Sequence, residues 1–198
     1  MAPIDSPFED ESLRYEAGRF GMVLFLVSLV MVFAAAILGY VVIRLEHEGS
    51  WPPPGMPGLS KLLIVSTIVI VISSGTMAAA SHAARNGARG ALKMWIVPTL
   101  LLGVAFLVVQ TIAWTELAKA HLDISEHLYA WSFYVLTGLH AAHVLGGVIP
   151  LAVVARRSFK GGYTRTNYRG VAYVEMYWHF LGVAWLALYA ALLWGSRG

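Results

Sequence analysis

FGMVLFLVSLVMVFAAAILGYVVI, residues 20–43, contains no Asp, Glu, Lys or Arg. A bilayer crossing takes about 20 mostly apolar residues, and this run exceeds that without a break. A strand of a soluble sheet typically runs about 5–6 residues, so a buried strand is excluded. In lipid a backbone segment must satisfy its own hydrogen bonds, and the run therefore reads as a helix. Four more such runs follow, at 62–81, 94–115, 128–155 and 171–194. The first three of these are also free of charge, and the last holds only Glu175. The sequence predicts an all-α fold, an integral membrane bundle of five transmembrane helices. It forms a single membrane domain over residues 20–198, preceded by an acidic N-terminal segment, 1–19.

Composition agrees. Of 198 residues, 58% are hydrophobic and 13% are charged, against about a quarter charged in soluble domains. The absence of cysteine removes disulfides, thiolate metal sites, iron–sulfur clusters and cysteine nucleophiles. A net charge of +3 and a pI near 9.3 raise nucleic acid as a partner, but the placement of the charges answers otherwise. Arg14, Arg19, Arg85, Arg89, Lys93, Arg156, Arg157, Lys160, Arg165 and Arg169 fall on one side of the five runs. Arg44, Lys61, Lys119 and Arg197 fall on the other. Excess positive charge marks cytoplasmic loops. The N-terminus is expected in the cytoplasm and the C-terminus outside, with no nucleic-acid partner.

The segment before the first run holds five acidic residues and two arginines. A signal peptide starts basic and has a shorter apolar core, so residues 20–43 read as a retained span. The acidic segment reads as solvated. Trp51-Pro52-Pro53-Pro54-Gly55 reads as a rigid outer loop, because successive prolines remove donors and enforce extended backbone.

Polar groups within the runs are the candidates for chemistry. They are Ser28, Gln110, Thr137, His140, His143, Glu175, Tyr177 and His179. His140 and His143 are three apart and share a helix face, and His179 lies at a similar depth on span five. Three such histidines admit a metal site, or two admit haem ligation. The alternative is that each histidine hydrogen-bonds a neighbouring helix and fixes packing. His121 and His127 read as outer-loop residues in water. Glu175, about one turn inside span five, is expected to pair with Arg169 or Arg19 or to snorkel, with proton uptake as the competing role. Glu116 reads as solvated or paired at the outer end of span three. Gly138, Gly146 and Gly147, with Ala141 and Ala142, form a small-residue surface expected to meet Gly182 and Ala184 in a tight contact of spans four and five. Pro98 and Pro150 are expected to kink their helices. Trp51, Trp95, Trp114, Trp131 and Trp194 suit an aromatic belt at headgroup level, whereas Trp178 is deeper and requires a packing partner.

Two stretches resemble a known family. Thr137-Gly138-Leu139-His140-Ala141-Ala142-His143-Val144 followed by Gly146, and Tyr177-Trp178-His179-Phe180 followed by Trp185, are similar to the most recognisable parts of subunit III of haem-copper respiratory oxidases. Arg19-Phe20-Gly21-Met22, Trp51-Pro52-Pro53, His82 before Gly87, and Gln110 with Glu116 agree in order, so the resemblance covers nearly the whole chain. It implies the short bacterial form with the last five of seven family helices, in the bacterial inner membrane. It implies a non-redox accessory subunit that carries no haem, copper or other metal and has no catalytic centre. Haem and copper would lie in partner subunits, the catalytic subunit I and the copper-binding subunit II.

The family also holds phospholipid in a cleft and supports proton uptake and durability in turnover, and an oxygen-entry role has been proposed for it. Arg157 matches a position that contacts lipid phosphate, and a paired arginine and phosphate is sound chemistry at a membrane surface. With Arg156 and Arg19 it makes up the lipid-binding candidates. Thr137, Gly138, His140, His143, Tyr177, Trp178, His179 and Gln110 are then packing residues.

Four acidic positions common in the family are replaced here, by Leu29, Ala113, Ala172 and Gly182. Any proton-relay role of those carboxylates does not transfer, and Glu175 stands one turn from where one of them would be. Four readings compete. The first is the oxidase accessory subunit. The second is the equivalent subunit of a quinol oxidase or nitric oxide reductase. The third is a haem-binding membrane electron carrier with His140 or His143 and His179 as axial ligands. The fourth is a small transporter using the breaks at Pro98 and Pro150, which ranks last without an internal repeat.

Overall fold

In a computed structural model of the chain, the described residues are 11–47, 51, 59–119 and 128–196. Asp5, Glu9 and Asp10 of the acidic segment, the prolines at 52–54, His121, His127 and Arg197 lie outside them. The described residues form five α-helices and no strand: α1 Glu11–Glu46, α2 Leu62–Arg85, α3 Arg89–Lys119, α4 Leu128–Phe159 and α5 Arg169–Gly195. All five are long and apolar enough to cross a membrane. Even α2, with 24 residues, extends about 36 Å at 1.5 Å per residue, more than the ~30 Å hydrocarbon core. Each helix continues past the apolar run that predicts it, because backbone hydrogen bonding does not stop where side-chain hydropathy does. α1 in particular begins at Glu11, so the second half of the acidic segment is already helical. Pro98 and Pro150 lie inside continuous helices.

Helices α2 to α5 form a ring in which α2 packs on α3, α3 on α4, α4 on α5 and α5 on α2. α1 stands outside the ring and leans on α5 and α4. It buries Leu29, Phe33 and Tyr40 and leaves Leu24, Val27, Met31 and Leu38 exposed, as a lipid-facing helix would. Both of its ends are tied to α5. Tyr173 Oη donates to the Tyr15 carbonyl at 3.2 Å, and Arg44 Nε donates to the Gly195 carbonyl at 3.1 Å. Trp51 is buried at the far end of the bundle, where its indole donates to Tyr40 Oη at 3.3 Å and meets Tyr129 edge-on.

The centre of the ring is Trp178, 1% exposed. Its indole N–H donates to Ser73 Oγ at 3.0 Å, and the Ser73 hydroxyl donates in turn to the Thr99 carbonyl at 3.2 Å. A β-carbon at Gly103 would lie 2.7 Å from Trp178 Cη2, and one at Gly147 would lie 3.2 Å from Cζ3. One ring thus fills the space that two glycines on α3 and α4 leave open, which is the partner this deep tryptophan requires. The expected small-residue contact of α4 with α5 is therefore made by Gly147, with Tyr177 and Leu181 against it. Gly138 and Ala142 do not join it. They line a shallow groove between α3 and α4, because they lie on another side of α4. Gly182 faces Ser74 of α2 instead of α4.

Candidate functional site

Two features stand out: a polar seam between α2 and α5, and an apolar groove between α1, α4 and α5.

Thr67, Ser74 and Ser81 of α2 are seven residues apart, two helical turns, and so recur on one face. Each meets a polar group of the antiparallel α5. Trp185 Nε1 donates to Thr67 Oγ1 at 2.9 Å, and Ser74 Oγ and His179 Nδ1 share a 2.5 Å hydrogen bond. Ser81 Oγ donates to Glu175 Oε2 at 2.6 Å. Arg85 Nη2 donates to the same oxygen at 2.6 Å, while Glu175 Oε1 lies 3.9 Å from His179 Nε2. The partner of Glu175 is thus Arg85, neither Arg169 nor Arg19. The reason is rotational: residue 175 shares a face with 178, 179 and 182, and that face of α5 packs on α2. Arg169 instead lies over the Tyr15 ring, 5.4 Å from its centroid.

Because Arg85 is 54% exposed at its side chain, screening keeps the worth of this ion pair small. Glu175→Gln is expected to lower stability by less than about 1 kcal/mol. A thermal unfolding series on Glu175→Gln, Arg85→Gln and the double variant measures the coupling directly. A loss of several kcal/mol in the single variants would show a fully desolvated pair.

The three span histidines do not converge. His179 faces α2. His140 and His143 lie on α4 with Phe33 of α1 against both rings, at centroid distances of 5.9 and 5.1 Å. Among the described residues no group of three His, Cys, Asp or Glu is placed to hold a metal ion. His143 Nδ1 donates to the Leu139 carbonyl of its own helix at 2.7 Å, so it does not bridge helices as expected. The His143 carbonyl does, accepting from Tyr177 Oη at 2.9 Å. Thr137 accepts from Trp114 Nε1 at 3.0 Å and so joins α4 to α3. Glu116 accepts from Ser60 Oγ at 3.0 Å.

Sequence reading missed the α2 hydroxyls. They form ordinary intrahelical bonds as readily as interhelical ones, so none stands out alone. The signal that was available is their seven-residue spacing, which puts all three hydroxyls on one face of α2.

The groove has a volume of about 660 Å³. Its walls are Met22 and Phe25 of α1, Ile149, Pro150 and Val153 of α4, and Tyr173, Val174 and Tyr177 of α5. Arg157 and Tyr163 close one end. The chain turns there at Gly161, whose φ of 72° suits glycine, and this brings Tyr163 beneath Arg157. The guanidinium lies 5.7 Å from the Tyr163 ring centroid, a cation–π distance. Burial pushes the Tyr163 phenol up, opposed by the Arg157 charge, so the ring stays neutral. Arg156 and Arg19 are exposed and do not line the groove. The arrangement is an apolar trough with a single positive head, which fits an amphiphile with an anionic group.

The family described as Cytochrome c oxidase subunit III matches this chain over residues 12–197. A cytochrome c oxidase subunit 3 of Synechocystis is 37% identical over 172 residues, 86% of this chain and 72% of its own length. A probable cytochrome c oxidase subunit 3 of Nocardia farcinica is 33% identical, covering 87% of this chain and 85% of its own. The cytochrome c oxidase subunit 3 of Rattus norvegicus is 32% identical, covering 96% and 72%.

Proposed function

This chain belongs to the cytochrome c oxidase subunit III family, and from that premise we propose that it serves its complex by holding a phospholipid in the groove between α1, α4 and α5. Membership makes it an accessory subunit of a haem-copper oxidase, a multi-pass membrane component of an oxidoreductase complex. The observation that carries the lipid reading is the groove itself. Its apolar wall runs from Gly146 to Arg157 on α4, about 16 Å at 1.5 Å per residue, and ends at a guanidinium held over Tyr163. An acyl chain gains from the apolar wall, and the phosphate gains a charge-assisted hydrogen bond from Arg157.

In this reading the end bearing Arg85, Arg157 and Arg169 faces the cytoplasm of a bacterial inner membrane, by the charge asymmetry of the loops. Subunits I and II are the partners and carry the haem and copper. The relatives, named as cytochrome c oxidase subunits, favour cytochrome c as electron donor to the complex over a quinol. Glu175 is a pairing residue of the α2–α5 seam, because Ser81 and Arg85 both donate to one of its oxygens. We assign proton uptake to no residue of this chain.

Arg157→Gln is expected to lower the phospholipid that co-purifies with the detergent-solubilised oxidase several-fold, read by lipid mass spectrometry of the complex. Arg156→Gln is expected to leave it unchanged. Equal lipid content in wild type and Arg157→Gln would remove the groove from this role.

A further inference from the structure

Among the described residues, every buried serine and threonine of the bundle has a hydrogen-bond partner. Two buried polar side chains have none. Neither amide atom of Gln110, 1% exposed, and neither ring nitrogen of His140, wholly buried, reaches a partner.

The two belong to one place. Trp114 of α3 bonds Thr137 of α4, and Gly103 of α3 faces Val148 of α4. These contacts set one antiparallel register. Four residues back along α3 from Trp114 is Gln110, and four residues on along α4 from Thr137 is Ala141, next to His140. Phe106, one turn from Gln110, packs edge-on against the His140 ring at 5.5 Å.

The side-chain donors packed near His140 are already used. Trp185, 5.0 Å from His140 between ring centroids, gives its N–H to Thr67. Thr137 accepts from Trp114 and donates to the Phe133 carbonyl at 2.7 Å. Phe33 and Phe106 offer no polar atom.

A neutral imidazole has one donor and one acceptor, and an amide has both kinds. A small neutral molecule that donates and accepts serves both residues at once. An ion would instead be a buried, unpaired charge. We propose that Gln110 and His140 hold a water molecule between α3 and α4, an internal hydration site within the membrane span. Buried water at otherwise unsatisfied polar groups is an integral part of many folds.

Two measurements on the intact purified oxidase test this. The first is an electron cryo-microscopy map fine enough to resolve ordered water. A density peak within hydrogen-bonding distance of both the Gln110 amide and a His140 ring nitrogen is expected. A direct bond between the two side chains, or an empty gap in a map that shows other waters, overturns the proposal.

The second is the sign of a stability change. If Gln110 were dry and unpartnered, Gln110→Leu would remove a desolvated polar group and raise the unfolding temperature of the subunit. If Gln110 holds a shared water, Gln110→Leu leaves that water and His140 short of a partner, and the temperature falls. A fall is expected. A rise, or no change, overturns the proposal.

Discussion

Trp178→Ala is expected to destabilise the bundle by about 3–5 kcal/mol, the usual range for truncating a fully buried aromatic residue. The ring is 1% exposed and touches α2, α3 and α4 from α5. Its removal opens a cavity at a point where all four ring helices meet. It also leaves the Ser73 hydroxyl without its donor. The measurement is thermal unfolding, or heat-induced release, of this subunit from the purified oxidase. Trp178→Phe loses the N–H and part of the ring but keeps an aromatic face, so a loss smaller than that of Trp178→Ala is expected. If Trp178→Ala costs no more than Trp178→Phe, packing is not what this residue contributes.

Gly103→Val carries the next largest expected effect. The added β-carbon would sit 2.7 and 2.8 Å from Cη2 and Cζ2 of Trp178. The indole has little freedom to retreat, because its N–H is held by Ser73 and its other edge lies against Gly147. Overpacking of this kind costs about 1–3 kcal/mol and sometimes more. The clash is with the six-membered half of the indole, so a smaller ring relieves it. Gly103→Val combined with Trp178→Phe is expected to lose less stability than the two single changes added together, a coupling of residues in contact. Strict additivity in thermal unfolding would mean that the two residues do not touch.

How much of this was legible beforehand varies residue by residue. Trp178 was readable as a deep tryptophan in want of a partner, since depth follows from position in a span. That the partner is a pair of glycines on two other helices was not readable, because Gly103 and Gly147 are as compatible with contacts on either side of their helices. Glu175 was readable as paired, since a carboxylate inside an apolar run is costly. Its partner was mistaken, because Arg19, Arg85 and Arg169 all lie at the same membrane level and only the rotation of α5 separates them. The histidines looked like a cluster because two share a face and the third shares their depth. The tertiary packing turns His179 of α5 toward Ser74 of α2 and leaves the other two beside Phe33. The Arg157 position was legible through resemblance, while the trough leading to it depends on where α1 leans.

The sequence by itself determined the number of helices, their spans, the all-α class, the loop charge asymmetry and the family. Each of these is a sum of local preferences: a residue's cost in lipid or in water depends on the residue, and backbone hydrogen bonding in lipid leaves the helix as the outcome. Only the tertiary structure decided which side of each helix meets which neighbour: Thr67, Ser74 and Ser81 against α5, Trp178 between two glycines, Gln110 level with His140, and α1 set apart to wall the groove. Most positions on every face of these helices are apolar, so hydropathy alone does not distinguish the buried side from the lipid side. Rotation and register are set by close packing and interhelical hydrogen bonds, and these depend on residues far apart in the chain.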